Sequence, residues 1–429
     1  MKHKQNHSTW LSLRKLFNDI HLWLGLSSGI IVLLICLSGT IYVFNTEIRE
    51  LASPEAYHVN YEAGAAKLSA EQLIDGVKRE TGGQVMSVKI PADPGRSYVL
   101  TVKMPEDAKP AERNGQKEGG KSGRTGAKAK KSTKGEKAAP PSRGVQYMVD
   151  PYNGKILASS KDKSGVADFM QLMFSLHRWL LLDRIEEPLI GELPNRKLGS
   201  YISGTATILF TLGVITGIVI WFPRRIQAWR QGLKIKWDAN WKRINHDLHN
   251  SLGFYSCVFL FLMGITGPQW SFEWYRTGLR KSLGTYQSED APKPETPKST
   301  IPENQPLKSL MLADYIRAVD QLLDYKGDVQ ISIPVDSADA VLVNKTQTGF
   351  FAPVAADKIY LDRYTSAVIK TEIFSEKPFN ERISGSIKAL HVGDIYGKFS
   401  KIIYFLACLI ATSLPVTGTL IWINKMKKR

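Results

Sequence analysis

The sequence predicts a membrane protein: a bundle of four transmembrane helices built by internal duplication, with two small α+β domains outside the bilayer. Three observations predict this fold: four long uncharged apolar stretches, two foldable segments between them, and a series of motifs that occurs twice in the same order. The mean hydropathy of the 429 residues lies just below zero only because it averages apolar and polar segments.

Each apolar stretch has 22 residues or more, which exceeds the roughly 20 residues that a helix needs to cross a bilayer core. A soluble cytoplasmic enzyme is therefore excluded, and a lipid bilayer is the first expected partner. The three cysteines lie inside these stretches, so no disulfide framework is expected. The stretches are Ile20 to Phe44, Tyr201 to Phe222, Ser251 to Phe272 and Ile402 to Ile423.

Lys and Arg residues are frequent in three short segments that flank the stretches. The N-terminus carries Arg14 and Lys15, the segment between the second and third stretches is rich in Lys and Arg, and the C-terminus ends in Lys427, Lys428 and Arg429. Short segments of this composition remain in the cytoplasm. Both termini are therefore expected there, and both long segments are expected on the outer side.

The predicted division of the chain alternates spans with outer domains. Long translocated segments do not follow the charge rule, so a basic stretch in the first of them is compatible with this arrangement. The predicted spans are 20–46, 197–222, 248–274 and 399–423, the outer domains are 47–196 and 275–398, and the cytoplasmic segments are 1–19, 223–247 and 424–429.

The first outer segment contains a basic insertion from Lys103 to Arg143. It holds 12 Lys and Arg against 5 Asp and Glu and has almost nothing apolar to bury, which predicts a disordered, solvated hairpin tip. A nucleic-acid-binding tail is the alternative. The expected position outside the cell disfavours it, so no nucleic-acid partner is expected.

The rest of each outer segment has the pattern of a small α+β domain, with one helix on an antiparallel sheet. In the first, Ser69 and Gln72 match a capping box that opens a helix over Ala70 to Glu80, and alternating strands follow. In the second, a helix over Leu312 to Leu323 likewise precedes a series of strands.

The repetition extends into the spans. The segment NDIHLWLGLSSG from residue 18 aligns with HDLHNSLGFYSC from residue 246, and TGIVIWFPRR from residue 216 aligns with TGTLIWINKM from residue 417. The spacing repeats as well, because 18 residues separate His21 from Gly39 and also His249 from Gly267. The chain is therefore predicted to contain two copies of one unit, related by an axis along the membrane normal.

Four of the eight histidines occupy matched positions in the two copies. His21 and His249 begin spans at the inner face, whereas His177 and His391 precede spans at the outer face. Two neutral imidazoles can ligate one haem iron, so pairs at two depths predict two haems stacked across the membrane. The alternative is that these histidines are interfacial or capping residues at helix ends.

Each matched histidine has a hydroxyl-glycine pair at its expected depth. Eighteen helical residues span about 27 Å, so Gly39 and Gly267 are expected beside the outer histidines, and Gly217 and Gly418 beside the inner ones. Glycine there would let a porphyrin face lie against the helix backbone. The alternative is ordinary packing of small residues between helices.

Three neighbours of the histidines are candidates for supporting roles. His246 lies three residues before His249 and could replace it as a ligand or approach a haem propionate. Asp19 and Asp247 could orient the second ring nitrogen of a ligating histidine through a hydrogen bond.

At these residues the sequence resembles the PepSY-associated transmembrane family, whose signatures match IHLWLGLSSG, LHRWLLL, TGIVIWFPRR and DLHNSLGF in order. The resemblance covers nearly the whole chain apart from the insertion. It implies PepSY-like periplasmic domains, a location in the bacterial inner membrane, and haem b in the four-helix part. The segment KALHVGDIYG departs from the pattern, since the Arg-Trp-Leu that follows His177 is missing after His391.

The family includes haem-containing reductases that release iron from ferric siderophores in the periplasm, and the resemblance implies such an activity here. Reduction to Fe(II) weakens a chelate made of hard oxygen ligands. No flavin reductase domain is present in the 429 residues, so a separate electron donor is expected on the cytoplasmic side. The alternative is a non-redox accessory protein whose outer domains bind a peptide or protein and regulate a protease or transporter.

The basic insertion generates the first testable prediction. Replacement of residues 107–140 by a short Gly-Ser linker is expected to leave the folded protein intact, because a disordered hairpin tip makes few contacts. Expression, detergent extraction and size-exclusion chromatography check this result. Loss of the folded protein would mean that the segment is structural.

Overall fold

The structure is a computed structural model of the chain. It describes residues 2–105, 144–222, 229–288, 291–292, 295–301 and 310–427, with side chains described from residue 12 onward. From residue 106 to residue 143, the predicted insertion lies outside the described residues. The described residues form a helical bundle and an antiparallel sheet.

Helices make up the larger part of the described chain. They are α1 (Lys2–Tyr42), α2 (Asn45–Ala52), α3 (Pro54–Tyr57), α4 (Ala70–Thr81), α5 (Gly165–Trp179), α6 (Asn195–Trp221), α7 (Trp229–Gly232), α8 (Trp241–Thr266), α9 (Glu273–Ser282), α10 (Leu312–Leu322), α11 (Phe379–Gly385), α12 (Ile387–Val392) and α13 (Gly397–Met426).

Four of these helices, α1, α6, α8 and α13, are long and apolar enough to cross a membrane. Helix α1 packs against α6 and α13, and α8 packs against the same two, so α1 and α8 lie diagonally across the bundle. Many of their apolar side chains remain exposed and form the surface that a bilayer would cover. The chain is thus a membrane protein with four candidate transmembrane helices: Ser12–Tyr42, Asn195–Trp221, Trp241–Trp270 and Gly397–Met426.

The bundle has two distinct ends. At the end called here the sheet side, α1 and α8 finish and α6 and α13 begin, and the chain connects there to the sheet. The opposite end, called the loop side, carries both chain termini and the connection between α6 and α8.

Eight strands form one antiparallel sheet in the order β4-β3-β2-β1-β5-β6-β7-β8. The strands are β1 (Gln84–Ile90), β2 (Tyr98–Lys103), β3 (Val145–Val149), β4 (Ile156–Ser159), β5 (Gly327–Ser332), β6 (Val341–Gln347), β7 (Ala356–Leu361) and β8 (Val368–Glu372).

The two four-stranded halves of this sheet join through β1 and β5. The pair is antiparallel and places Val88 opposite Ile331, both without exposed surface. The sequence predicted two separate α+β domains, and the structure differs in giving them one continuous sheet. An unpaired strand edge exposes backbone N–H and C=O groups, and pairing β1 with β5 satisfies both inner edges together.

Helices α4 and α10 cover one face of the sheet and share one hydrophobic core. Leu73 and Val77 of α4 and Val319 of α10 are buried in it. The carboxylate of Glu71 accepts a hydrogen bond of 2.6 Å from the backbone N–H of Leu312. One side chain of the first half thus satisfies a donor at the N-terminus of α10, where a negative charge is also favoured by the helix dipole.

The predicted capping box of the first sheet helix is confirmed. The Ser69 hydroxyl accepts the backbone N–H of Gln72, and the Gln72 side chain accepts the backbone N–H of Ser69. The helix runs over Ala70–Thr81 and ends at Gly82, whose φ of 68° lies in the left-handed region that glycine tolerates best. The second predicted helix is observed as Leu312–Leu322.

Two ion pairs fasten the sheet to the bundle through α2. Arg96, just before β2, donates hydrogen bonds of 3.0 and 2.9 Å to the two carboxylate oxygens of Glu50. One turn earlier on α2, Glu47 accepts hydrogen bonds of 2.7 and 2.9 Å from the Lys401 ammonium group on α13. Helix α2 therefore links the sheet to a candidate transmembrane helix.

Asp362 begins the turn between β7 and β8. Its buried carboxylate accepts hydrogen bonds of 2.8 to 2.9 Å from the backbone N–H groups of Thr300, Tyr364 and Thr365. Burial alone would raise the pKa of Asp362, but these hydrogen bonds outweigh it, and the pKa is lowered.

We expect Asp362→Asn to destabilise the folded protein by about 1–2 kcal/mol at neutral pH, because the neutral amide accepts these bonds more weakly. Since the folded pKa is lowered, the stabilisation is complete above the unfolded pKa of about 3.9 and is lost as the pH falls through the folded value. Denaturant unfolding from about pH 3 to about pH 7 measures it, with exposed Asp75→Asn as control. A difference that persists unchanged at the acidic end would contradict this account.

Candidate functional site

The structure brings the four matched histidines together as two pairs inside the bundle. The ring centres of His21 and His249 lie 6.2 Å apart with an interplanar angle of 77°. Those of His177 and His391 lie 6.1 Å apart with an angle of 63°. The two pairs therefore have nearly the same geometry, although their members come from four different helices.

The pairs lie at opposite ends of the bundle. His21 is near the loop side of α1, and Gly39, 18 residues later on the same helix, lies against His177. Eighteen helical residues correspond to about 27 Å along the axis. His21 and His249 thus form a loop-side pair, and His177 and His391 form a sheet-side pair.

In the loop-side pair, the Nδ1 atom of each ring is held by a neighbouring helix. Nδ1 of His21, on α1, lies 3.0 Å from the carbonyl oxygen of Gly213 and 3.1 Å from the hydroxyl of Thr216, both on α6. Nδ1 of His249, on α8, lies 2.9 Å from the hydroxyl of Thr417 on α13. Diagonal helices α1 and α8 therefore supply the rings, and the other two helices orient them.

The sheet-side pair repeats this arrangement. Nδ1 of His177, on α5, lies 2.8 Å from the carbonyl oxygen of Ile35 on α1. Nδ1 of His391, on α12, lies 3.0 Å from the hydroxyl of Thr266 on α8. Here α1 and α8 are the orienting helices, so each of them serves both levels.

These hydrogen bonds fix the chemistry of the rings. Carbonyl oxygens only accept, and the three threonine hydroxyls already donate to carbonyl groups of their own helices. Nδ1–H is therefore the donor in each case, which leaves the lone pair on Nε2. Among the described residues, no hydrogen bond to any of the four Nε2 atoms is present. A neutral imidazole with Nδ1–H bonded and Nε2 available is the form that binds metals.

Burial also favours the neutral ring in the sheet-side pair, whose members precede the spanning helices α6 and α13. Desolvation lowers the pKa of His177, and desolvation together with the nearby His177 lowers the pKa of His391 to about 3. Both rings are thus uncharged at neutral pH.

The four glycines lie against the histidine rings. A Cβ at Gly39 would lie 3.0 Å from Cε1 of His177, and one at Gly217 or Gly418 would lie 3.2 Å from Cε1 of its histidine. At Gly267 the corresponding distance to His391 is 3.4 Å. The sequence suggested that glycine makes room for a porphyrin. In the structure, it makes room for the imidazole, which must approach the helix closely enough to reach its carbonyl or hydroxyl group.

The predicted orienting role of the aspartates is not observed. Asp247 accepts a hydrogen bond from Nε of Arg243, 2.8 Å from one carboxylate oxygen and 3.0 Å from the other, and its contacts are with the loop side rather than with a paired histidine. Helix carbonyl and hydroxyl groups take the place predicted for Asp19 and Asp247. The sequence places Thr216 and Thr417 at the depth of the loop-side histidines, and the structure adds that their hydroxyl groups orient the rings.

His246 does not join either pair. It lies exposed on α8, where its ring contacts the side-chain amide of Asn250 at 3.2 Å and lies 3.6 Å from Asp247. A residue that the sequence analysis missed lies at the sheet side. The ring of Trp270 packs edge-on against His391 with ring centres 4.9 Å apart, and only the adjacency of Trp270 to the Thr266-Gly267 pair could have indicated it.

An apolar layer lies between the two levels. Leu260, Ala407 and Ala411 are buried there, and Phe259 and Met263 pack against them. The described side chains of this layer carry no charge, so it excludes water from the middle of the bundle.

Together, the fold and the site define a multi-pass membrane protein that carries two oriented histidine pairs at two levels of a four-helix bundle. Comparison with family models identifies it further. The chain belongs to the family described as the PepSY-associated TM region, whose model matches residues 19–425. The family resemblance seen in the sequence motifs is therefore confirmed. No curated protein shows a significant match to the chain.

The glycine contacts generate a prediction. Gly39→Ala is expected to destabilise the protein by about 1–3 kcal/mol, because the added methyl group overpacks the contact with His177. Gly25→Ala on the same helix is the matched control. A Cβ there meets nothing within 4 Å, so this variant is expected to be neutral or more stable by up to about 1 kcal/mol. Thermal unfolding in detergent compares the variants, and equal unfolding temperatures would refute the packing account.

Proposed function

We propose that this protein binds two b-type haems, one at each histidine pair, and conducts electrons across a bacterial inner membrane to reduce a ferric chelate such as a ferric siderophore. The observation that carries the proposal is the recurrence, at two levels, of two imidazoles with Nδ1 bonded to a helix and Nε2 available. When bound, a haem would supply an iron that alternates between the ferric and ferrous states.

The spacing of the rings supports ligation of one metal by both imidazoles of a pair. Metal–nitrogen bonds to imidazole are about 2.0–2.1 Å long, which puts the centres of two such rings roughly 6 Å apart. The pairs have 6.2 and 6.1 Å. Each pair therefore supplies two imidazoles at a spacing at which both could ligate one bound iron.

The composition of the site supports a cofactor rather than a bare ion. A pair of histidines supplies two ligands, and within the described part of the chain no group of three or more His, Cys, Asp or Glu side chains could hold a metal ion. Additional ligands would have to come from a bound group. A porphyrin provides four nitrogens and an apolar body suited to the interior of a bundle.

The role of this chain's own residues follows from the contacts. The Ile35 carbonyl and the Thr216, Thr266 and Thr417 hydroxyls orient the rings and hold the proton on Nδ1. Such hydrogen bonds raise the basicity of the ligating nitrogen. The apolar layer between the levels keeps water away from both pairs.

The charge distribution supports the orientation of the chain. Lys and Arg residues concentrate at the loop side, where both termini lie, and the positive-inside rule assigns that side to the cytoplasm. The eight-stranded sheet then lies in the periplasm as PepSY-like domains. The sheet-side pair would face the ferric chelate, and the loop-side pair would face a separate electron donor.

We also propose that the two halves arose by internal duplication. Each half contributes one long helix, one sheet helix, four strands, one short helix with a histidine and a second long helix, in the same order. The contacts repeat too, since His177 lies against Gly39 and His391 against Gly267.

Substitution of the histidines tests the proposal level by level. His21→Ala or His249→Ala is expected to remove one haem and leave a second that a ferric chelate oxidises but that a cytoplasmic-side reductant no longer reduces. His177→Ala or His391→Ala is expected to leave a haem that accepts electrons and cannot pass them on. Haem content and difference spectra of purified protein measure the first effect, and an Fe(II) trap outside sealed vesicles measures the second.

His58→Ala is the control, because His58 contacts Glu50 outside the bundle and is expected to leave both haems unchanged. A folded but colourless native protein would refute the proposal and favour the non-redox accessory, a regulator of a protease or transporter. Four histidine variants with one common spectrum would refute the two-level assignment.

A further inference from the structure

We propose that Arg178, assisted by Arg196, forms a carboxylate-binding site at the sheet-side level, and that its ligand is a propionate of the haem held by His177 and His391. This inference rests on the proposed haem binding and adds the residues that recognise the edge of the cofactor.

Arg178 connects the elements that carry the two sheet-side histidines. It follows His177 directly on α5, and its Nη2 atom donates a hydrogen bond of 3.3 Å to the backbone carbonyl of Trp270. The ring of Trp270 in turn packs against His391. Arg178 is therefore adjacent in sequence to one ring of the pair, and its guanidinium group is linked through Trp270 to the other.

This guanidinium group has no anionic partner among the described residues. Its Nε atom is buried without a hydrogen-bond partner. The nearest acidic residue along the chain, Asp183, instead accepts the hydroxyl hydrogen of Ser175. An unpaired donor in a desolvated position costs free energy that a bound anion would recover.

A second cation, Arg196, lies near the same tryptophan as Arg178. The guanidinium carbon of Arg196, on α6, lies 4.1 Å from the ring centre of Trp179, and that of Arg178 lies 5.7 Å from the same ring. Arg196 is likewise in none of the ion pairs of the described residues. Two guanidinium groups around one buried tryptophan repel each other unless an anion lies between or beside them.

Carboxylate is the chemistry that this arrangement fits best. Guanidinium presents a planar set of donors that matches a carboxylate with two parallel hydrogen bonds. A b-type haem carries two propionate groups, and a haem between His177 and His391 would present them beside a cationic edge of the bundle. A carboxylate-bearing ferric chelate is the other source of the same chemistry.

Haem replacement separates these sources. Native protein and the Arg178→Gln, Arg178→Lys and Arg276→Gln variants are reconstituted with haem b and, in parallel, with haem b dimethyl ester, which lacks ionised carboxylates. Arg276 is exposed and pairs with Glu273, so it serves as the matched control. The measurements are the rate of haem transfer to apomyoglobin and the midpoint potential of the haem component that His177→Ala removes.

With haem b, Arg178→Gln is expected to speed release of the sheet-side haem about ten- to a hundred-fold, the effect of losing one charge-assisted hydrogen-bonded pair. Its midpoint potential is expected to fall, because a nearby positive charge favours the ferrous state. Arg178→Lys should show a smaller effect, and Arg276→Gln should show none. With the dimethyl ester, the release rates of native protein and Arg178→Gln are expected to agree within about two-fold.

An equal effect of Arg178→Gln on the release of both haems would overturn the inference, since the arginine would then act through the fold. If Arg178→Gln leaves the release and the midpoint potential of the sheet-side haem unchanged and weakens only the binding of a citrate-type ferric chelate, the propionate assignment is overturned. The ligand of Arg178 would then be the carboxylate of the chelate. Absence of haem from native protein would refute the proposed function and this inference together, whereas bound haem with a silent Arg178→Gln would refute the inference alone.

Discussion

The structure depends on one interaction, the hydrogen bond from an imidazole Nδ1 to a polar group of a neighbouring helix inside an apolar bundle. It occurs four times, and each time a glycine removes the side chain that would keep the ring away. Without the hydrogen bond, a buried imidazole would lack a partner and could rotate. With it, the proton stays on Nδ1 and the lone pair of Nε2 remains available.

The remaining architecture holds these hydrogen bonds in register. Helices α1 and α8 each supply a ring at the loop side and a hydrogen-bond acceptor at the sheet side, so one rigid element fixes a member of both pairs. Helices α5 and α12 are shorter and do not reach from one pair to the other, so their positions depend on other contacts. Helix α5 follows β4 of the sheet and α12 follows β8 by way of α11, and α2 connects that sheet to the bundle through Glu47 and Glu50.

Much of this arrangement could be predicted from the sequence, because it depends on spacing along single helices. The spans followed from apolar length, and the 18 residues from His21 to Gly39 gave the depth at which Gly39 meets His177. The rest depends on contacts between distant segments. No sequence pattern marks β1 and β5 as partners. The ion pair of Asp247 is a different case, because Arg243 lies four residues earlier on α8, a spacing that itself predicts the contact.

The division of the pairs between the halves has a consequence for assembly. The half of the chain before the connection from α6 to α8 supplies His21 and His177, and the half after it supplies His249 and His391. Each half thus contributes one ring to the loop-side pair and one to the sheet-side pair. Neither half could therefore build a complete pair alone. Two copies of a half could do so only as a dimer, and the seam where β1 meets β5 is the surface along which such copies would have to join. Covalent linkage removes the dependence of that pairing on protein concentration.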